Sequence, residues 1–383
     1  MIPFNKPTLV GKELQYLTEA IHQGSFCGNG PFTKRCQALL EQALGVSRIL
    51  LTTSCTDALE MAALLLDVRD GDEVIVPSFT FVSTPNAFVL HGATPVFADI
   101  RRDTLNIDEA QLPRLMTSRT KAIVPVHYGG VACEMDAILE VASRHGVAVV
   151  EDNAHGPFGT YKGAPLGTIG GLGALSFHDT KNFTCGEGGA LLVNDPEYAG
   201  RAEIVWEKGT NRSSFLRGEV GKYTWMDVGS SHLPSDLLAA FLYAQLEARV
   251  EIQSRRRTLW VRYQDGLAEW ASEHEIALPV VPSYCEPAYH LFFLLLPTAE
   301  ARRDLAAHLK KKGIQSAVHY PPLHLSAMGR RFGGADGDCP VTESVSERLL
   351  RLPFSTGMTD AEQDMVIREV NAFALRQAEV NRG

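Results

Sequence analysis

Short apolar runs alternate with helical stretches through the first two-thirds of this chain, and that alternation limits the possible folds more than any other feature. The runs fall at 49–51, 73–77, 95–98, 122–126, 147–150, 174–177 and 190–193. Stretches with helical spacing lie between several of them, at 56–66, 108–116 and 135–145. Strands joined by helices of this length imply a mostly parallel, seven-stranded sheet covered by helices on both faces. Ligands of such α/β sheets bind beyond the carboxyl ends of the strands. After about residue 245 the pattern changes. One Arg-rich helix is expected over 238–270, followed by an apolar run at 290–296, a helix at 299–312 and a last helix from Thr359. The expected division is a large domain at 1–245 and a smaller α+β C-terminal domain at 246–383.

Composition narrows the partners. A formal charge of −9 over 383 residues gives no general attraction for nucleic acid or an anionic membrane surface, so an anionic ligand has to be met by local groups. Met1-Ile2-Pro3-Phe4-Asn5-Lys6-Pro7 lacks the basic-then-apolar build of a signal peptide, and no apolar run reaches membrane-spanning length. The seven cysteines are spread without a C-x-x-C pair, which fits a reducing cytoplasm and no disulfide framework. The twelve histidines lack the spacing of a metal site, and no metal is expected.

Lys181 stands in Ser176-Phe177-His178-Asp179-Thr180-Lys181-Asn182, between an apolar run and the glycine-rich turn Gly186-Glu187-Gly188-Gly189. Desolvation there lowers an amine pKa and makes the neutral, nucleophilic form available near pH 7; a lone lysine in a loop is otherwise a surface residue. The glycines serve the turn through unusual φ angles. In Thr52-Thr53-Ser54-Cys55-Thr56-Asp57, an apolar run ends in hydroxyl residues and a helix begins. That junction reads as a helix cap and equally as a phosphate site, since both use the same free N–H groups. Asp152, in Glu151-Asp152-Asn153-Ala154-His155, is an acid at the end of a buried strand, which is costly unless it is paired. Phe81 lies at another strand-to-helix junction, where it is either core or a stacking ring. The segment 208–222 reads as an irregular excursion of the kind that is often functional.

Taken together these segments resemble the DegT/StrS-type nucleotide-sugar aminotransferases, a fold-type I family that uses pyridoxal phosphate (PLP). The likeness runs from Gly28-Asn29-Gly30-Pro31 to Leu352-Pro353. It implies that Lys181 holds PLP as a Schiff base and then moves protons as catalytic base and acid. By the same resemblance Asp152 pairs with the pyridine nitrogen, Phe81 stacks on the ring and His155 lies near its phenolic oxygen. Ser54, Cys55, Thr56 and Ser176 hold the phosphate, with Cys55 standing where the family has glycine. Ser231 replaces a family Asn that reaches the neighbouring subunit's phosphate site, so a homodimer with shared active sites is implied. Thr80–Thr84, His127-Tyr128, Lys208-Gly209-Thr210-Asn211-Arg212-Ser213 and Tyr223-Thr224-Trp225 are most similar to enzymes that aminate carbon 4 of a TDP-4-keto-6-deoxyhexose, with L-glutamate as donor. His178, Lys208, Arg212, Tyr223 and His319 are the expected substrate-binding residues. Amination at carbon 3 uses the same PLP residues. A sugar dehydratase would replace Lys181 with His, and a non-catalytic binding protein would be free to lose Lys181 or Asp152.

Overall fold

The apolar runs end at residues suited to leaving a buried strand: Thr52, Pro77, Asp152 and Ser176. In the computed structural model, which describes residues 1–374, these ends fall on one edge of a seven-stranded sheet. Its strands are β1 (Arg48–Thr52), β2 (Glu73–Pro77), β3 (Thr94–Ala98), β4 (Thr120–Ile123), β5 (Ala148–Asp152), β8 (Leu172–Ser176) and β9 (Gly189–Val193). Their order is β1-β9-β8-β5-β4-β2-β3, and β9 alone runs against the other six. Between β5 and β8 the short β6 (Thr160–Tyr161) and β7 (Ala164–Pro165) pair with β10 (Cys285–Glu286) in a small separate sheet. Antiparallel β11 (Phe293–Leu295) and β12 (Leu349–Arg351) form a third sheet.

Successive strand residues alternate between two packed layers, as the pleat requires. Leu50 faces the helices Cys55–Leu65 and Pro196–Trp206, whereas Ile49 and Leu51 face Pro31–Leu44 and Asp236–Glu247. Burial on both faces explains why these strands read as continuous apolar runs. Each fully buried Leu or Ile here contributes roughly 1.5–3 kcal/mol. The arrangement is the fold-type I α/β sheet that the sequence led us to expect.

Two helical expectations change. The helix expected over 238–270 is two helices, Asp236–Glu247 and Arg249–Glu273, separated at Ala248. The first buries its apolar face with the N-terminal helices, and most of the second packs with β11, β12 and the helix Asp360–Asn371. One straight rod could not serve both cores. The stretch 108–116 becomes a 3₁₀ turn, Glu109–Gln111, and a short helix, Leu112–Leu115, with Pro113 placed where a helix begins. The excursion at 208–222 holds a short helix, Arg212–Leu216. The last nine residues of the expected C-terminal domain lie outside the described residues.

Long-range caps fix the parts that border the strand ends. Asp99, just past β3, accepts from the N–H groups of Val341 and Thr342 at 2.8 Å, capping the helix Pro340–Arg348 that leads into β12. Leu323 N–H donates to the Ser78 carbonyl, and Ser78 Oγ donates to His324 Nδ1 at 2.6 Å. His324 Nε2 is 3.0 Å from Glu343 Oε1, so one buried imidazole clips segment 319–326 over the end of β2.

The turn after Lys181 depends on glycine in two different ways. Gly186 has φ +87°, but Gly188 and Gly189 lack positive φ and are needed for space. A Cβ on Gly189 would lie 2.3 Å from the Ser54 carbonyl carbon and 2.4 Å from Cys55 N. Gly189→Ala should therefore lower stability by about 1–3 kcal/mol, read as a shift of the urea midpoint, and should weaken cofactor binding at the displaced turn.

Candidate active site

The carboxyl ends of β1, β2, β5 and β8 surround one cavity of about 770 Å³, closed on its far side by residues 319–323 and by Phe4 and Asn5. Where β1 ends, Ser54 is extended and its Oγ accepts from the Asp57 N–H at 3.0 Å, capping the helix Cys55–Leu65. Ser54, Cys55 and Thr56 line the cavity, which puts the positive end of that helix in its wall. Thr56 Oγ1 donates to Ser83 Oγ at 2.7 Å. Cys55 begins the helix, so the position tolerates a side chain; burial pushes its thiol pKa well up.

At the end of β5, Glu151 and Asp152 point to opposite sides. Glu151 is fully buried and accepts from the N–H groups of Gly167, Ile169 and Gly170 and from His127 Nε2. Asp152 lines the cavity; its Oδ2 accepts from Thr84 Oγ1 at 2.7 Å and its Oδ1 from the Ala154 N–H at 3.1 Å. Two oxygens held this way keep further lone pairs available for a cation.

His155 Nδ1 accepts from the Gly129 N–H at 3.3 Å, leaving the ring proton on Nε2, 3.4 Å from the Tyr320 hydroxyl. Its ring stacks on His290 at 4.2 Å and 17°. Burial pushes both imidazoles well below the ordinary 6.5, and nearby Lys181 and Arg351 push the same way. Both rings are neutral at pH 7.

Lys181 lies on the connection from β8 to β9, and its N–H donates to the His178 carbonyl at 3.0 Å. Burial lowers its amine pKa from 10.5 to about 8; Arg351 lowers it further and Asp152 opposes the shift. Phe81 is 56% exposed on the cavity wall, an aromatic face left uncovered by the chain. Ser176 ends β8 at the same cavity. His178 sits at the rim, 3.0 Å from Asp179 Oδ1 and 3.6 Å from Glu187 Oε1. His319 Nδ1 accepts from Arg351 Nη1 at 3.0 Å, and burial lowers its pKa to about 4.

Four expected residues lie away from this cavity in the single chain. Lys208 and Ser231 are exposed, Tyr223 is exposed beside Trp225, and Arg212 pairs with the buried Glu207 at 3.2 Å. Sequence reasoning passed over Thr84, His290 and Arg351. Arg351 carried a usable signal: a charge closing the apolar run Leu349-Leu350 is the same anomaly as Asp152 at the end of β5.

The profile of the DegT/DnrJ/EryC1/StrS aminotransferase family matches residues 7–371. The chain belongs to this family. Among curated relatives, a spore coat polysaccharide biosynthesis protein of Bacillus subtilis, SpsC, is 35% identical over 377 residues, covering 96% of each chain. Among solved structures, the aminotransferase TlmJ from Streptoalloteichus hindustanus is 32% identical with a TM-score of 0.88, covering 97% of this chain and 98% of that one. Spr1654 from Streptococcus pneumoniae in its PLP-form is 28% identical with a TM-score of 0.89, covering 97% of both chains. The site of this DegT/DnrJ/EryC1/StrS aminotransferase suits PLP on its own geometry. A depressed lysine amine, an anchored carboxylate, an uncovered aromatic face and a helix N-terminus border the same space.

The lowered lysine has a thermodynamic signature. Between about 8 and 10.5 the unfolded apoprotein holds a proton on Lys181 that the folded one has released, so stability rises with pH through that window. Below about 8 the burial penalty is fully present. Lys181→Met should therefore stabilise the apoprotein at pH 7 and flatten this slope, measured by urea unfolding at pH 7 and pH 10.

Proposed function

We propose that this protein transfers an amino group from L-glutamate to carbon 4 of a TDP-4-keto-6-deoxyhexose, giving a TDP-4-amino-4,6-dideoxy sugar. The observation that carries this reading is the pairing, across one cavity, of a lysine amine depressed to about 8 with the anchored carboxylate of Asp152. PLP is the cofactor; when bound it supplies the carbonyl that accepts the amino group and the electron-withdrawing ring that stabilises a carbanion. Lys181 would hold the cofactor covalently and, once its amine is free, would carry a proton at Nζ to and from the donor α-carbon. Asp152 would keep a proton on the ring nitrogen, Phe81 would cover the ring, and neutral His155 would donate from Nε2. Ser54, Cys55, Thr56 and Ser176 hold the phosphate at the helix end.

A sugar substrate is supported by a relative named for polysaccharide biosynthesis. Carbon 4 and the TDP carrier rest on the likeness of segments 208–213 and 223–225 to the 4-aminotransferases. Those segments lie outside the chain's own cavity, with Trp225, Met226 and Val228 79%, 56% and 62% exposed. A second copy of the chain covers that apolar surface, and Ser231, Lys208, Arg212 and Tyr223 serve its site. His178 and His319 contact the sugar nucleotide from within the same chain. The division at 1–245 and 246–383 and a cytoplasmic location belong to the same proposal; among the described residues no helix is long and apolar enough to cross a membrane.

The test is spectroscopic. The purified protein loaded with PLP should show the absorbance band of a lysine-bound cofactor, lose it on addition of L-glutamate and regain it with the TDP-4-keto-6-deoxyhexose. Lys181→Ala should lack the band and lose at least about 100-fold in rate. Recovery with a 3-keto sugar nucleotide but not the 4-keto one would move the reaction to carbon 3. No band at all in the parent protein would end the aminotransferase assignment of this site.

A further inference from the structure

A second and much smaller cavity also borders Lys181. Its volume is about 10 Å³, room for a single small occupant. The first residues of the chain, the connection at Asn182 and Thr184, and Arg256, Ser355 and Thr356 enclose it. Of its lining residues only Asn5 and Lys181 also line the large cavity.

Arg256, on the helix Arg249–Glu273, is 2% exposed. Its Nε donates to the Tyr289 carbonyl at 2.9 Å, its Nη2 to the His290 carbonyl at 2.6 Å and its Nη1 to Thr356 Oγ1 at 3.1 Å. One N–H on each terminal nitrogen is left over. The Phe354 ring covers one face of the guanidinium, its centre 4.8 Å away. What the chain does not supply is a negative charge. No aspartate or glutamate lines the small cavity, and among the described residues no carboxylate offsets the burial that lowers the Arg256 pKa to about 9. The guanidinium is still charged at pH 7, and a buried cation without a counter-charge is costly.

The other lining groups indicate the sign of an occupant. Thr184 Oγ1 already accepts from the Gly186 N–H at 3.0 Å, and Thr356 Oγ1 accepts from Arg256, so each has its O–H left to give. The Asn182 amide is saturated, donating to the Ala288 carbonyl and Gln253 Oε1 and accepting from His290 Nδ1. The groups left over are chiefly donors: these two hydroxyls, Ser355, the Lys6 ammonium and the guanidinium itself. A water molecule would need acceptors for its own two hydrogens, whereas a monatomic anion needs donors only. We propose that this cavity binds one halide ion, chloride in the cell, as the counter-charge of Arg256. Phosphate and sulfate are too large for the space. The site is separate from the transfer reaction and does not depend on it, but an anion beside Lys181 favours the charged form of that amine.

The test uses the full-length protein as purified, exchanged into chloride-free gluconate buffer, with bromide as the probe. Crystals soaked in bromide and measured at the bromine absorption edge should show an anomalous peak in the small cavity, within hydrogen-bonding reach of Arg256 and Thr356. Replacing gluconate with bromide at constant ionic strength should raise the melting temperature saturably, by about 2 °C. Thr356→Val should lose most of that rise, and Thr356→Ser, which keeps the hydroxyl, should retain it. Density in the cavity without an anomalous signal is water and overturns the proposal. A bromide peak confined to the large cavity overturns it too, as does a peak in the small cavity with no bromide-dependent stabilisation, which is binding at crystal concentration only. If Thr356→Val keeps the full rise, the stabilising ion is elsewhere and the assignment falls. If that variant does not fold, the anomalous map and melting curves of the parent decide alone.

Discussion

The exclusion of water from one amine governs this structure. Burial removes the hydration that favours the charged form of the Lys181 amine and brings its pKa down to about 8. The cavity around that amine is walled by distant parts of the sequence. Strand ends supply the floor, the helix Cys55–Leu65 one side, and residues 319–323 the cover. Each wall has its own fastening: Gly189 permits the Ser54–Cys55 turn to approach, and His324 clips the cover to Ser78.

Alternation along a strand assigns two neighbouring acids to separate tasks. Glu151 is spent on backbone N–H groups and on His127, and so holds the segment 167–170 against the sheet. Asp152, one residue later, faces the cavity with only part of its acceptor capacity used. The same apolar strand therefore spends one carboxylate on the backbone and turns the next toward the cavity. His127 also accepts the Cys133 N–H through Nδ1, which fixes its tautomer and leaves Nε2–H for Glu151.

Much of this was legible from local pattern. The strands, the helix start at Ser54 and the positions of Lys181 and Asp152 each follow from a short run of residues whose periodicity or burial is visible in the sequence, and the described structure gathers ten of the expected residues around one cavity. What escaped depended on distance. Nothing local marks Thr84 as the partner of Asp152, 68 residues away, or Asp99 as the cap of a helix more than 240 residues later. The break at Ala248 was hidden because each half of the stretch is a good helix, and only the existence of two cores separates them. The excursion around Lys208, Arg212 and Tyr223 leaves aromatic and aliphatic side chains exposed, and exposure of that kind leaves no periodic pattern in the sequence.

Phe4 and Asn5 belong to the cavity wall, and Phe4 is anchored there by its N–H to Gln315 Oε1 and by its carbonyl, which accepts from the Phe354 N–H. The first few residues thus act as a gasket between the solvent and the Lys181 amine. Trimming them would remove no catalytic group, yet it would admit water beside Arg351 and Lys181. The amine would drift back toward the basicity of an ordinary surface lysine and release its proton only at higher pH. In this fold the cavity that holds the Lys181 amine is completed by a segment from the far N-terminal end of the chain.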